Sequence, residues 1–555
     1  MLGLGRRTER TWTALVAVIA LICLAPAVVI GWSLVNPTAE VWSHLWSTVL
    51  PGMLWSTAAL LVLVFVGSAV LGGGLAWLVS GYDFPGRKTF SWMLVLPLAI
   101  PAYILGFVFM SVFGFTGPIQ GTLRDLFGAD VPVPEIRSIW GAALVLSLSL
   151  FPYVYLLGRA AIREQATAGY EVARSLGYSH FNAARRVVLP MARPSLVAGL
   201  TLVMLETLTD FATVIYFNVQ TVSVGVYRVW KGMFDRQAAS ELASLVLLFA
   251  LVVLALERAM RGRARYEQHS GSRRALPTKT LYGARAWGAT AVCTGVLTLA
   301  FFAPVGQLLY WAATRGGFDS SYFSYLSNSV VLALMAAGVV AVAATGVANA
   351  RRFSPTRPVR AMSQLTVVGY ALPGPVIAIG VLLVLAALDR LLDSVGIQVP
   401  GLLITGSIAG VVYAYAVRFM ALGVNGIDSS LQKVPMELTL SARSLGAKPL
   451  RVMRRVHLPM TRTGIAVALL LVGIDALKEL PMVLLLRPFG FDTLPVWIWQ
   501  LASQSRWEDA ALGSVTIIAA SLVPVALLTR SLRTTEPPDD LPASPAALTL
   551  EHVTI

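Results

Sequence analysis

The chain has 555 residues, of which 56% are hydrophobic and 13% are charged. Soluble domains have about a quarter of their residues charged, so the composition excludes a soluble enzyme and predicts an integral membrane protein. The net charge of +15 does not indicate a nucleic-acid partner, because the basic residues lie in short segments between apolar runs. Cys23 and Cys293 each lie within an apolar run and lack a CxxC partner, which argues against a disulfide or a thiolate metal site.

Twelve apolar runs are long enough to cross a membrane, which takes about 20 helical residues for about 30 Å of hydrocarbon. The first follows Arg6, Arg7 and Arg10 like a signal sequence, but it is longer than a cleaved signal and is predicted to remain. The sequence therefore predicts an all-α, polytopic membrane protein. The predicted spans are Thr13–Leu34, Leu54–Val79, Phe90–Phe113, Ile139–Leu157, Ser195–Phe217, Leu242–Leu256, Trp287–Ala312, Val330–Ala350, Leu365–Leu388, Leu402–Val424, Gly464–Leu486 and Ala511–Leu528.

The loops between these runs alternate between basic and less basic, which is the positive-inside pattern. The basic side is predicted to be the cytoplasm, with both termini inside. It receives Arg87/Lys88, Arg258–Arg285, Arg351–Arg360 and Arg530/Arg533.

A segment of the chain occurs twice. Glu171–Pro190 is repeated at Leu440–Pro459 with a shift of 269 residues and no gap, and 12 of the 21 positions from Ala173 to Arg193 are identical. The chain is therefore a tandem repeat. Six spans per half is an even number, so the halves cross the membrane in the same direction and both copies of the segment face the cytoplasm.

The duplication predicts four regions. Residues 1–258 form the first repeat, 259–285 a basic cytoplasmic linker, 286–533 the second repeat, and 534–555 a disordered cytoplasmic tail.

Each copy is predicted to be a helical stretch that turns at Gly177 or Gly446 and reaches a Leu-Pro pair that ends the helix before the next span. Glu171-x-Ala173-x-x-x-Gly177 with Leu189-Pro190 resembles the EAA coupling motif of permease subunits in binding-protein-dependent ABC importers. The resemblance implies a short helix that sits in a groove of a separate ABC ATPase. One subunit of an ATPase homodimer would bind each segment. The alternative is a generic amphipathic loop.

The second copy departs from the motif. Leu440 and Ser441 replace the acidic residue and the first alanine, whereas Ala442, Gly446, Leu458 and Pro459 are retained. Glu437, one helical turn earlier, could supply the missing acid. The departure places in doubt an acidic contact shared by both halves.

The chain has no ATPase motif of its own. The closest approach to a P-loop is Gly81–Thr89, where Arg87 precedes the lysine and the segment joins two spans without a preceding strand. No cofactor is therefore expected in this chain, and ATP is expected to bind to the partner subunit. Catalysis by this chain is not predicted.

Four acidic residues lie in apolar runs, and the two pairs correspond under the same shift of 269: Glu206 and Asp210, and Asp475 and Glu479. The spacing of four places each pair on one helix face. Each central charge costs about 2.5–3.5 kcal/mol on insertion scales, so exposure to lipid is excluded. They either line a translocation path that favours cations, or pair with Lys478 and cap interrupted helices near Pro481.

Prolines interrupt two corresponding runs. Pro101 and Pro375 are 274 residues apart, and interrupted helices at matching places indicate a translocation path, with a plain kink as the alternative. The histidines have no metal-ligand spacing, and His457 is predicted to decorate the repeated segment.

Beyond the repeated segments, Thr209–Phe217, Tyr227-Arg228-x-Trp230 and Lys478–Leu494 resemble the ferric-iron group of fused permeases. This resemblance implies a location in the inner (cytoplasmic) membrane of a bacterium and uptake of iron(III) delivered by a periplasmic or lipid-anchored binding protein. The alternatives are a permease for thiamine or another small cation and, from a different class, a secondary transporter driven by an ion gradient.

Overall fold

The computed structural model describes residues 2–35, 39–128, 132–164, 167–233, 235–261, 278–315, 320–396 and 406–534. It confirms the all-α fold. Within these ranges the strands are one parallel pair of two residues each, Tyr82–Asp83 beside Lys279–Thr280. The middle of the predicted linker, 262–277, and the predicted tail from 535 lie outside the described residues.

The first half contains fourteen described helices: α1 (Leu2–Val35), α2 (Ala39–Thr48), α3 (Leu50–Ser68), α4 (Gly74–Gly81), α5 (Arg87–Met93), α6 (Ala102–Phe113), α7 (Pro118–Phe127), α8 (Ile139–Glu164), α9 (Thr167–Ser175), α10 (His180–Ala183), α11 (Leu189–Thr209), α12 (Ala212–Tyr216), α13 (Val222–Arg228) and α14 (Arg236–Arg261). The π-helical turns Ala69–Gly73, Ala184–Val188 and Val229–Met233 and the 3-10 turn Leu96–Ala99 join some of them.

The second half repeats this order with twelve described helices: α15 (Ala284–Leu297), α16 (Ala303–Thr314), α17 (Ser320–Phe353), α18 (Arg357–Leu365), α19 (Gly374–Ser394), α20 (Ile408–Gln432), α21 (Met436–Ser444), α22 (Pro449–Val452), α23 (Leu458–Lys478), α24 (Pro481–Leu486), α25 (Leu494–Ser503) and α26 (Ala511–Thr534). Its π-helical turns are Thr298–Phe302 and Met453–His457, and its 3-10 turn is Val368–Ala371.

In the described residues, eleven helical segments are long and apolar enough to cross a membrane. The last predicted span corresponds to α26, whose apolar part Ala511–Leu527 is shorter than the other eleven. The span predicted at Leu402–Val424 is displaced, because α20 begins at Ile408 and continues to Gln432.

Four of the predicted spans are interrupted, and the sequence indicated such interruptions in the runs that contain Pro101 and Pro375 and near Pro481. Phe90–Phe113 and Leu365–Leu388 are each divided by a 3-10 turn that ends before a proline. Ser195–Phe217 and Gly464–Leu486 are each divided where an acidic residue, Asp210 or Glu479, leaves the helical conformation. Hydropathy alone cannot detect such breaks, because the residues on both sides are equally apolar.

The first span of each half crosses over to the other half. Helix α1 packs on α14 of its own half and on α19 of the second half, and α16 packs on α26 and on α6 of the first half. The α1–α19 contact is close, because a Cβ atom at Gly380 would lie 2.5 Å from the Pro26 carbonyl oxygen. The halves are therefore interlocked by two equivalent exchanges.

Both repeated segments lie at the same end of the helices. Ser33, near the end of α1, donates a hydrogen bond to Ser240 at the start of α14 (3.2 Å), so these two helices are antiparallel. Trp12, near the start of α1, stacks on Phe353 and belongs to a buried cluster with Val452 of the second segment.

The contacts of α13 show at which end of the helices the first repeated segment lies. This helix packs on α14, and Ser223 donates to the carbonyl of Leu208 at 2.6 Å, so the end of α11 lies at the Ser33 end. Helix α11 has 21 residues and is about 30 Å long. The first segment precedes α11 and therefore lies at the opposite end, with the second segment.

Candidate functional site: two repeated segments and a central cavity

The two repeated segments have the same backbone conformation. Each is a nine-residue helix, α9 or α21, followed by a left-handed glycine with φ of +84° at Gly177 and +79° at Gly446. The amide after each glycine donates back to the helix, from Tyr178 to the Ala173 carbonyl and from Ala447 to the Ala442 carbonyl, both at 3.1 Å. This is the Schellman arrangement that glycine favours.

The Leu-Pro pairs do not end a helix, which corrects the prediction. Leu189-Pro190 and Leu458-Pro459 are the first two residues of α11 and α23 and follow directly on a π-helical turn. Proline is tolerated there because the first turn of a helix does not need its amide hydrogen.

Most motif residues are at the surface. Ala173 is buried and Ala442 is half-buried, whereas Glu171, Gly177, Pro190, Glu437, Gly446 and Pro459 are exposed; Leu189 is exposed and Leu458 is half-buried.

Sequence reasoning missed two pairs of exposed apolar side chains on these segments. Leu176 and Leu445 correspond under the shift of 269 and are 72% and 88% exposed, and Phe181 and Leu450 correspond and are 65% and 51% exposed. The signal was present, because an apolar residue at the same position of both copies had no predicted place in a span. Each segment therefore has an exposed apolar patch at the same place of the repeat.

Each segment is fixed to the helices by one buried side chain at an equivalent position. In the first, the Tyr170 hydroxyl is 2.7 Å from Nδ1 of His180, whose ring packs on Trp77 and Tyr82. In the second, Thr439 is 3.0 Å from Nε2 of His457. Tyr170 and Thr439 are therefore equivalent under the shift of 269, but the histidines that they contact are not.

The second anchor extends into a longer network. Nδ1 of His457 is 2.6 Å from the Asn349 side-chain oxygen. Arg352 donates to Thr439 at 3.0 Å and to the carbonyls of Leu431, Val434 and Pro435. His457 was predicted to decorate the segment, but it is 1% exposed and acts as an internal support.

A cavity of about 140 Å³ lies between the halves and is lined by all four acidic residues predicted from the sequence. Glu206 and Asp210 come from the first half, and Asp475 and Glu479 come from the second. Other polar groups in the wall are Tyr103, Ser149, Tyr153, Thr209, Tyr370, Arg418 and Lys478.

Two of the acids cap the helices that follow the breaks. Asp210 accepts hydrogen bonds from the Thr213 amide at 2.8 Å and from the Thr213 hydroxyl at 2.5 Å. Glu479 accepts one from the Met482 amide at 3.2 Å. These are N-cap contacts, and they explain why the chain breaks at the same place in both halves.

The other two acids form ion pairs. Asp475 is 2.8 Å from Nζ of Lys478. Glu206 receives both of its hydrogen bonds from Nη2 of Arg418, at 3.2 and 3.3 Å, and Nε of Arg418 is 3.8 Å from Glu479. Capping and pairing thus occur together with cavity lining, so the two alternatives drawn from the sequence are not exclusive.

Arg418 was not singled out from the sequence. Its side chain is 6% exposed and joins a carboxylate of the first half to one of the second. An arginine inside an apolar run was the available signal.

One of the two prolines predicted to mark the path lies in the cavity wall. Pro101 lines the cavity, and Pro375 does not. The structural counterpart of Pro101 is Pro373, since each directly precedes a helix with nearly the same conformation, φ −55° and ψ 141° against φ −59° and ψ 141°. In the described residues, no three His, Cys, Asp or Glu side chains are close enough together to hold a metal ion.

Two interlocked helical repeats around a polar cavity, with matching surface segments at one end, define a multi-pass membrane transport component. The sequence pattern of the family described as "Binding-protein-dependent transport system inner membrane component" matches residues 68–266 and 330–535. The chain belongs to this family.

Several characterised proteins are similar to this chain. The Fe(3+)-transport system permease protein FbpB 2 of Haemophilus influenzae is 25% identical over 489 residues, which cover 86% of this chain and 89% of that protein. The sulfate transport system permease protein CysT of Salmonella typhimurium is 28% identical over 223 residues, 38% of this chain and 78% of that protein. A chain of a bacterial ABC transporter that imports alginate is 16% identical with a TM-score of 0.34, over 45% of this chain and 96% of its own.

Proposed function

We propose that this chain is the membrane-spanning permease of an importer driven by a separate ABC ATPase dimer, and that its cargo is iron(III). The observation that carries the proposal is the pair of matching segments at one end of the helices, each presenting an exposed leucine and a second exposed apolar residue. A two-fold symmetric ATPase requires two such surfaces on one face.

The ATPase dimer would act on these segments by moving them relative to each other as it closes. Each segment is tied to its own half through Tyr170 and His180, or through Thr439, His457 and Arg352. A displacement of the segment is therefore passed to the helices, and the halves rock around the cavity between them.

The cavity is proposed as part of the translocation path, with Glu206, Asp210, Asp475, Glu479 and Pro101 in its wall. Pro375 is not retained in this path. The carboxylates favour a cation over an anion. Charge neutralisation by Glu206→Gln and Asp210→Asn tests this, since unchanged uptake by an assembled complex would remove the cavity from the path.

Support for iron(III) comes from the similarity to the Haemophilus influenzae permease, which extends along most of both chains. The similarity to the sulfate permease covers a smaller part of this chain. Hard, highly charged cations prefer oxygen ligands, and the polar wall of the cavity offers carboxylates, hydroxyls and phenols. A periplasmic or lipid-anchored binding protein would deliver the metal on the side away from the ATPase.

We expect the repeated segments and both termini to lie in the cytoplasm, because the ATPase has access to ATP only there. The basic loops Arg87/Lys88 and Arg351–Arg360 agree with that orientation.

Reconstitution of the permease with its ATPase and binding protein in liposomes tests the proposal. We expect ATP-dependent accumulation of radiolabelled iron and none of thiamine. Substitution of both Gly177 and Gly446 by valine should abolish uptake without preventing membrane insertion, since each glycine has positive φ and open space around it. Uptake that follows an ion gradient without nucleotide would indicate a secondary transporter instead.

A further inference from the structure

The two walls of the cavity carry different charges although the halves are repeats. Ser149 of α8 and Arg418 of α20 occupy equivalent positions, and they donate to equivalent carbonyls, that of Ile100 at 3.4 Å and that of Leu372 at 3.5 Å. Thr209 and Lys478 are likewise the last residues of α11 and α23. At these two positions the first half therefore has hydroxyls where the second half has cations, while each half contributes two carboxylates to the wall.

Arg418 compensates part of this imbalance by reaching across to Glu206. Asp210 keeps only neutral partners, the amide and hydroxyl of Thr213, and no basic side chain in the described part of the chain pairs with it. The first-half wall is thus an oxygen-rich surface in which Glu206 is paired with Arg418 and Asp210 has no cationic partner among the described residues.

A buried phenol completes this wall. Tyr103 is 5% exposed and lines the cavity together with Asp210 and Glu479. Its hydroxyl has no hydrogen-bond partner among the described residues. A buried hydroxyl without a partner costs about 1–3 kcal/mol, so its position requires a reason other than stability.

We propose that Glu206, Asp210 and Tyr103 form a transient binding site for a hard, oxygen-preferring cation, and that Arg418 is a built-in counter-ion that occupies this site until the cation displaces it. The inference rests on the proposed function and adds the ligands and the competing charge. The guanidinium takes the place of the cargo beside Glu206 in the resting state, so this carboxylate has a positive partner before the cation arrives.

A second carboxylate is available to Arg418 when it leaves Glu206. Its Nε is already 3.8 Å from Glu479, so rotation away from Glu206 leaves it beside a second carboxylate, which belongs to its own half. Arrival of a cation would therefore replace the cross-half ion pair by an ion pair within the second half. This removes one direct link between the halves at the moment the cargo is bound.

Terbium(III) binding to the purified full-length permease tests the site directly. Tb³⁺ is a hard cation that prefers oxygen ligands, and nearby tyrosines sensitise its luminescence. Arg418→Gln should strengthen binding by about tenfold or more, because a competing charge is removed. Adding Asp210→Asn to Arg418→Gln should abolish this gain in Tb³⁺ affinity. The asparagine can still cap α12, so the helix should be retained.

Two further variants make the test independent of folding defects. Tyr103→Phe removes a hydroxyl that bonds to nothing described, so assembly should be normal while Tb³⁺ binding weakens and iron uptake falls. Arg315→Gln is the matched control, because it removes the arginine of an exposed ion pair with Glu508 at 3.1 Å. It should leave the tight binding of Tb³⁺ unchanged.

The proposal is overturned if Arg418→Gln leaves Tb³⁺ affinity unchanged, or if its gain survives both Asp210→Asn and Tyr103→Phe. It is also overturned if Arg418→Gln instead abolishes binding of sulfate or citrate, because Arg418 would then be an anion ligand. Failure of the unmodified complex to take up iron would contradict the proposed function, whereas the Tb³⁺ titration needs neither the ATPase nor the binding protein.

Discussion

Tyr227 and Trp499 occupy equivalent positions in the two halves, and their rings touch each other with centroids 5.6 Å apart and planes at 83°. Each is the sixth residue after a threonine, Thr221 or Thr493, that directly precedes α13 or α25. Trp499 also donates to the Ala212 carbonyl at 3.3 Å, and Ala212 lines the cavity. The pair therefore joins the two halves beside the cavity, on the side away from the repeated segments.

This contact predicts a nucleotide-dependent cross-link. A bifunctional thiol reagent should join Tyr227→Cys to Trp499→Cys in the nucleotide-free complex, and joining should fall strongly once ATP and vanadate trap the closed ATPase. The reason is that rocking of the halves separates them at this end. The control pair Tyr322→Cys and Trp497→Cys lies within the second half, with centroids 6.2 Å apart, and should react equally in both states. A constant yield for the first pair would contradict the rocking motion.

The exposed leucines of the repeated segments should hold the ATPase. Leu176→Asp and Leu445→Asp are each expected to weaken ATPase binding by about 30-fold, the effect of losing about 2 kcal/mol at an interface anchor. Both side chains are exposed, so the thermal stability of the isolated permease should not change. Co-purification measures the loss, and Leu126→Asp, an equally exposed leucine of α7, is the control. Retained binding in the double variant would exclude these docking surfaces.

The anchor of the second segment should be the more sensitive of the two. Thr439→Val leaves Nε of Arg352 and a ring nitrogen of His457 without this partner, which should cost about 1–3 kcal/mol and lower the midpoint of thermal unfolding in detergent. Tyr170→Phe removes a single contact with His180 and should cost less. Equal stability of Thr439→Val and the unmodified chain would mean that the network does not support the segment.

The exchange of α1 between the halves should depend on Gly380. Gly380→Val forces α1 away from α19, because even a Cβ atom would lie 2.5 Å from the Pro26 carbonyl oxygen, and overpacking of this kind costs about 1–3 kcal/mol. Gly31→Val in α1 itself meets no atom within 4 Å at its Cβ and serves as the control. The midpoint of thermal unfolding should be lower for Gly380→Val than for Gly31→Val. Similar midpoints would show that the contact between α1 and α19 is dispensable.

Several features followed from the sequence because they depend only on neighbouring residues. The duplication and the turns at Gly177 and Gly446 are properties of local spacing. The prediction that Glu206 and Asp210 share one helix face was wrong, because α11 ends at Thr209 and Asp210 is extended. The prediction that all four acids avoid lipid rested on solvation cost alone, and the structure places all four in the cavity wall.

The tertiary structure decided which groups those residues meet. Arg418 and Glu206 are 212 residues apart, and no local pattern shows that they form a pair. The crossing of α1 to α19, the equivalence of Pro101 with Pro373, and the burial of His457 likewise depend on how distant helices pack. Spacing along one helix fixes which side chains share a face, whereas the partner of that face is chosen by the fit and the charge of the whole assembly of helices.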